Sequence, residues 1–190
     1  MEYSRFNNLD IEGRYIFLDN DFLSFVFEEK DALSKLQELS EKNNLLMIDY
    51  FVKFEFLREV FIPEKINLKE NFVSDKGFNS SDNNFKTFEK LQENAIFLSK
   101  LYAHQKQKTN YKGSPGLVDL FLASRLMMHT ETAVVATGNI KDFPATLFDI
   151  IDVWNVLQQD GAMRTFGFLK LNKEKFNRCV SELDKLENKK

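Results

Sequence analysis

The sequence predicts an α/β fold in which a mainly parallel central sheet is packed between helices as three α/β/α layers. Two observations carry this expectation. Short apolar runs alternate with segments whose apolar residues recur every three or four positions, which is the βαβα order of a parallel sheet layered with helices. The 190 residues also hold only 7 Gly and 3 Pro, with 43% hydrophobic and 29% charged side chains. Those values suit long regular elements around one core and exclude a disordered, collagen-like or simple coiled-coil chain, so one domain over 1–190 is expected.

The run Arg14-Tyr15-Ile16-Phe17-Leu18-Asp19 reads as the first strand, and the polar cluster Asp19-Asn20-Asp21 leads into a helix carrying Phe22, Phe25 and Val26. A second helix over 32–42 places Leu33, Leu36 and Leu39 on one face and stops at Asn43-Asn44. Residues 45–48 form a buried strand. From Tyr50 a helix stacks Phe51, Phe54, Leu57 and Phe61 as core, and Pro63 is expected to end it. Residues 64–70 read as a short turn of helix, and 71–84, rich in Asn, Ser and Asp, as a loop before a long helix over 85–107. Together 64–113 reads as a helical insertion. Ser114 and Pro115 suit the N-cap and first position of a helix running to about Thr130, and 132–136 is a third buried strand. Strands over 147–156 and 163–171 are joined by Gln158-Gln159-Asp160-Gly161, and Asn172 can cap a last helix over 173–186.

With 26 basic and 29 acidic side chains the net charge is −3, so no global positive field advertises nucleic acid and any such binding must use a local patch. The single cysteine, Cys179, excludes an internal disulfide, and with only His104 and His129 beside it a typical structural zinc site is excluded too. A reducing compartment follows. Glu2, Asp10 and Glu12 interrupt the start of the chain, and there is no run of about 18 apolar residues. The expectation is a cytoplasmic protein with no signal peptide and no membrane partner.

In open α/β sheets, ligands bind outside the carboxyl ends of the strands. Asp19 and Asp21 end the first strand and Asp49 the second; Glu55 follows in the next helix, on the same face as Phe51. Asp119 lies in the opening turns of the third main helix, while Asn139 and Asp142 follow the third strand. Carboxylates gathered at one crevice repel one another and stay charged most readily around a divalent cation; oxygen ligands select Mg²⁺ or Mn²⁺. The matching reaction is phosphodiester hydrolysis. The plainer reading of each single acid is a helix cap or a partner of the helix dipole.

Four segments in order resemble the motifs of PIN-domain proteins, the metal-dependent ribonucleases that include the VapC-type toxins. They are Phe17-Leu18-Asp19-Asn20-Asp21, Ile48-Asp49-Tyr50-Phe51-Val52-Lys53-Phe54-Glu55, Leu117-Val118-Asp119-Leu120, and Val135-Ala136-Thr137-Gly138-Asn139-Ile140-Lys141-Asp142-Phe143. The resemblance implies an endoribonuclease with Mg²⁺ or Mn²⁺ held by Asp19, Glu55 and Asp119. It further implies an RNA substrate, a homodimer and, for a toxin, an antitoxin-like protein partner. Asn139 stands where many members carry a fourth acid, so Asn139 and Asp142 are further candidates. Asp21 is read as an extra ligand or a cap for the helix from Phe22, and Thr137 as a hydroxyl that orients a carboxylate.

Two rivals remain open. Asp19-Asn20-Asp21 with Val134-Val135-Ala136-Thr137 also resembles haloacid-dehalogenase-type phosphatases, with Asp19 as nucleophile and Asp21 as acid/base. That family needs a lysine well beyond the threonine, whereas Lys141 is only four residues on, and it leaves Glu55 and Asp119 without a role. The other rival is a PIN-like interaction module without catalysis. Lys100, Lys106, Lys108 and Lys112 with Tyr102 and Tyr111 read as solvated lysines at a helix end before a nucleic-acid patch. His104 reads as a surface residue, His129 as a partner of a helix C-terminus, Arg58 as a partner of Glu55, and Trp154 and Cys179 as core.

Overall fold

A computed structural model of the chain describes residues 13–58, 62–81, 84–158 and 161–188. Phe61, Gln159 and Asp160 lie outside these residues, as do Glu2, Asp10 and Glu12. The chain is mixed α/β and forms a three-layer α/β/α fold around a six-stranded sheet. Strand β1 (Tyr15–Leu18) is followed by helices α1 (Asn20–Glu28) and α2 (Lys30–Ser40), then by β2 (Leu45–Ile48). Asn43 ends α2's trailing turn at φ 60°, a left-handed conformation that Asn tolerates better than most residues. Helices α3 (Tyr50–Arg58) and α4 (Pro63–Asp75), the two-residue strand β3 (Asn79–Ser80) and the long helix α5 (Phe85–Lys108) come next. Helix α6 (Leu117–Met128), β4 (Ala133–Thr137), the short 3₁₀ turn η1 (Ile140–Asp142), the hairpin β5 (Phe148–Leu157) and β6 (Met163–Leu171), and α7 (Lys173–Glu187) complete it.

The strand order is β3-β2-β1-β4-β6-β5. The first four are parallel, with Ile16 opposite Leu46 on one side and Val134 on the other; β6 then runs antiparallel to β4, and β5 to β6. β1 and β4 are buried on both faces, which is why they read as unbroken apolar runs. In the hairpin a bulge between Ile150 and Asp152 inverts the alternation of side chains. Phe148 and Trp154, six positions apart, would otherwise share a face. Instead Trp154 meets Phe22 and Phe25 of α1, with ring centroids 5.9 and 5.7 Å away, while Phe148 meets Tyr102 of α5 at 6.4 Å. One irregular residue thus lets a single strand serve both helical layers.

Three expectations need correcting. Pro63 opens α4 as its first residue instead of only closing α3, because its missing N–H costs nothing where a helix has no partner to offer it. Residues 71–84 are not all loop: α4 runs on to Asp75, seating Phe72 against Phe27 and Phe78, and Asn79–Ser80 pair in parallel with Met47 and Ile48. Phe54 is not core, being 58% exposed beside the buried Val52 and Phe56. Among the described residues no helix is long and apolar enough to cross a membrane.

Candidate active site

Because β2, β1 and β4 are parallel neighbours, their carboxyl ends emerge on one edge of the sheet. The chain leaves β1 toward β2 and β3 and returns to β4 on the other side, so a crevice opens where β1 meets β4. Asp19 sits there, 4% exposed. Its Oδ1 accepts the Asn20 N–H at 2.7 Å and so caps α1, while its Oδ2 accepts the Thr137 hydroxyl at 2.6 Å. The Thr137 oxygen in turn accepts the Asn139 N–H at 2.9 Å, so one hydroxyl ties both strand ends to the loop after β4. Thr137 does orient a carboxylate.

Asp21 does not cap α1, since Asp19 already does; it lies in the first turn and accepts the Gly138 N–H at 2.9 Å. A Cβ at 138 would collide with Asp21 Oδ2, so any residue but glycine there must push Asp21 or the loop aside. The Arg164 guanidinium donates to the Asp21 carbonyl at 3.3 Å and lies over the Phe25 ring. Helix α6 starts at Leu117 with Gly116 as N-cap, not with Ser114 and Pro115. The Ser114 N–H is committed elsewhere, to Asp142 Oδ1 at 2.9 Å, and Asp119 closes the first turn by accepting the Gly116 N–H at 2.6 Å. Asp142 is buried at the end of η1, where its carbonyl also accepts the Tyr111 hydroxyl at 3.1 Å. Asn139 is exposed. Glu55 is half-buried on α3, with Arg58 Nη2 at 3.9 Å.

These acids share one electrostatic environment. Burial raises the Asp19 carboxyl above the ordinary range, against the hydrogen bonds from Thr137 and Asn20, and the Asp142 charge raises it further. Burial and then the Asp19 charge push Asp21 up to about 7, opposed by the N–H groups of Phe22 and Gly138 and by Arg164. Burial pushes Asp119 to about 7 as well; the Gly116 N–H pulls it back, and the charges of Asp19, Asp142 and Glu55 add to the rise. Asp119 thus feels the charges of Asp19, Asp142 and Glu55, Asp19 feels that of Asp142, and Asp21 stands beside Asp19. Among the described residues no three acids, histidines or cysteines stand close enough to enclose a metal ion by themselves. The donor set nevertheless suits a hard cation, which takes one or two carboxylates with waters and substrate oxygens. The side-chain oxygens Asn20 Oδ1 and Asp21 Oδ1 are buried with no hydrogen-bond partner, a cost that an ion or an ordered water would remove.

Asp49 points elsewhere. It is 1% exposed, accepts Arg125 Nε at 2.8 Å and the Ser81 hydroxyl at 3.0 Å on Oδ2, and accepts the Phe51 N–H at 3.0 Å on Oδ1. Arg125 also donates to Ser81 at 3.1 Å. This clip joins β2, the end of β3 and α6. Sequence reasoning missed Arg125, although a lone cation inside the apolar segment Leu117–Met128 was a usable signal. It named Tyr111 and Gly138 without their contacts, to the Asp142 carbonyl and the Asp21 carboxylate, which are distant in sequence. His129 stands at the C-cap of α6 and donates its backbone N–H to the Arg125 carbonyl; burial, then Arg125, lower its pKa, and its ring lies 5.5 Å from that of Tyr15. His104 is no open surface residue either, its side chain being 12% exposed near Glu182. Of the lysine stretch, Lys108 pairs with Glu182 at 2.6 Å, and Tyr102 is buried, so no stacking patch forms along α5.

The site thus defines a three-layer α/β domain with an acidic crevice at the switch point of its sheet. Comparison with protein-family models, curated proteins and solved structures finds nothing that matches this chain.

Proposed function

We propose that the protein is a Mg²⁺- or Mn²⁺-dependent endoribonuclease of PIN-like type, the toxin of a toxin–antitoxin pair. The observation that supports this reading is that Asp19 lies at the β1/β4 switch point and that the charges of Asp19, Asp142 and Glu55 all act on Asp119. Of Asp19, Glu55 and Asp119, one or two would hold the ion directly and the rest through its waters, with Asn139 and Asp142 as further candidates. When bound, such an ion supplies Lewis acidity to a phosphodiester and lowers the pKa of water. The rest is done by the chain. Thr137 and the Asn20 N–H fix the direction of the Asp19 carboxylate, so little reorganisation is left for the moment of reaction. Asp21, pushed up to about 7 by burial and the Asp19 charge, is protonated in part at neutral pH and so lessens the negative charge of the crevice. The Ser114 N–H and Tyr111 hydroxyl hold η1 against the α5–α6 loop and so set where Asp142 faces. Within this reading, an RNA substrate, an antitoxin-like protein and a second copy of the chain are the expected partners.

A second reading, the interaction module, is favoured by the exposed Tyr50, Phe54 and Leu117, which flank Glu55 at 60%, 58% and 64% exposure. An RNA panel incubated with Mn²⁺, Mg²⁺ or chelator, beside a small phosphomonoester, separates the readings. The expected outcome is metal-dependent RNA cleavage with the phosphomonoester untouched. Turnover of the phosphomonoester alone, blocked by Asp19→Asn, would establish the phosphatase; no turnover of either would leave the module.

A further inference from the structure

Beside the acidic crevice lies a groove of about 900 Å³. One wall is the loop between α5 and α6 with η1, and the other is the start of β5 and the end of β6. Four lysines line it, Lys112, Lys141, Lys170 and Lys175, against a single carboxylate, Asp149. Lys175 and Asn172 already occupy that carboxylate, at 2.7 Å each. Among the described residues Lys112, Lys141 and Lys170 make no ion pair within 4 Å, though Lys170 stands opposite Asp149 and its charge helps to lower that carboxyl's pKa. In a chain of net charge −3 this is a local basic rim, and its floor is apolar, with Ile140, Ile150 and Tyr111 in it.

The groove and the crevice share their wall. Lys141 immediately precedes Asp142 in η1, and Tyr111 both lines the groove and donates its hydroxyl to the Asp142 carbonyl. Gly113 also lines it, packed so closely against the Lys141 carbonyl and the Tyr111 ring that a Cβ would collide with both.

We propose that this groove binds single-stranded RNA on one side of the bond to be cut, with Lys112, Lys141 and Lys170 on successive phosphates and unpaired bases on the apolar floor. The chemistry selects the ligand class. Ammonium groups on a rim neutralise a polyanion, whereas an apolar floor gains only from base faces that are not already stacked in a duplex. The position of the cut rests on the ribonuclease reading; the binding does not.

The test is fluorescence anisotropy in chelator, using a labelled single-stranded RNA of about twelve nucleotides and the same RNA annealed to its complement. Wild type is compared with Lys112→Gln/Lys141→Gln/Lys170→Gln and with Asp119→Asn, and thermal melts confirm that each is folded. At about 0.1 M salt the triple variant is expected to bind roughly ten- to a hundredfold more weakly, with the slope of log affinity against log salt reduced by about 2. Asp119→Asn, which removes a negative charge from the neighbouring crevice, should bind no more weakly than wild type, and the duplex more weakly than the single strand. With Mn²⁺ present, the triple variant should raise KM and leave kcat. Loss of binding in the triple variant without any cleavage by wild type would keep the groove and sink the nuclease. An unchanged salt slope in the triple variant, equal weakening by Asp119→Asn, or displacement of the RNA by a polyglutamate peptide at equal charge would overturn the groove assignment.

Discussion

Asp119 does two things at one position. Its carboxylate closes the first turn of α6 on the Gly116 N–H, and its charge lies within reach of Asp19, Asp142 and Glu55. An amide keeps an oxygen for the cap but removes the charge, so Asp119→Asn should cost at most about 1 kcal/mol in a urea melt. RNA cleavage should fall by more than the roughly 100-fold that loss of an outer partner of a metal ligand costs. Asn139 is exposed and contributes its backbone to Thr137, so Asn139→Ala should lower the rate far less. Initial-rate measurements on one RNA decide the order, and the reverse order would remove Asp119 from the site. Gly138 tests the geometry from the backbone side. Gly138→Ala must push Asp21 or its own loop aside, and a loss of about 1–3 kcal/mol in the same melt is expected.

Between elements, the clip of Asp49, Arg125 and Ser81 holds the half of the sheet that carries α3 and Glu55 against α6 and Asp119. Both charged side chains are almost wholly inaccessible, at 1% and 3% exposure. Removing one strands the other, a cost of about 3–5 kcal/mol, whereas replacing both by apolar residues of similar size is far cheaper. Arg125→Met is therefore expected to be severely destabilised in urea, and Asp49→Leu/Arg125→Met to recover most of the loss. A double variant as weak as the sum of the singles would show that the clip is not a coupled unit. The hairpin bulge works at the same scale: by turning Phe148 and Trp154 to opposite faces, it lets β5 be covered by both α1 and α5.

For the whole molecule the acidic crevice is a liability that depends on pH. Asp21 and Asp119 bind protons more tightly in the folded chain, near 7, than in the unfolded one, near 3.9. The folded state therefore holds more protons across that window, and the stability these groups contribute is full below about pH 4 and lost as pH rises through about 7. His129, whose pKa burial lowers, works in the opposite direction below about pH 6.5, so the comparison must be with a variant. In chelator, the wild-type melting temperature should fall relative to that of Asp119→Asn between about pH 5 and about pH 8. An equal slope in the two proteins would show that Asp119 does not titrate there. At about pH 8, Mn²⁺ at about 100 times its Kd should contribute roughly 2.7 kcal/mol, or about 5–10 °C for a chain of this size. Asp19→Asn should remove most of that response. A wild-type melt unmoved by millimolar Mn²⁺ would leave the carboxylates without a metal and favour the interaction module.

The sequence by itself determined the elements that rest on local signals. Unbroken apolar runs marked β1, β2 and β4, the 3.6-residue period marked α1, α2 and α5, and Asn172 marked the start of α7 through a side-chain bond to Lys175 three residues on. It also placed acids after those strands, because a strand end and the residue beyond it are neighbours along the chain. Tertiary structure alone decided which acids face the crevice. Asp19 and Asp49 occupy equivalent places after parallel strands, yet one meets Thr137 across 118 positions and the other Arg125 across 76. The N-cap of α6 falls two residues beyond Ser114, at Gly116, whose N–H goes to the Asp119 carboxylate, while the Ser114 N–H is held by Asp142 across 28 positions. The lysine groove was invisible for want of any spacing to read. Lys112, Lys141 and Lys170 come from three separate elements, and only the antiparallel return of β6 beside β4 brings them to one rim. A cap, a turn or a period is settled by bonds within a few residues, whereas the direction of a carboxylate or the sign of a groove is settled by whatever the sheet order sets beside it.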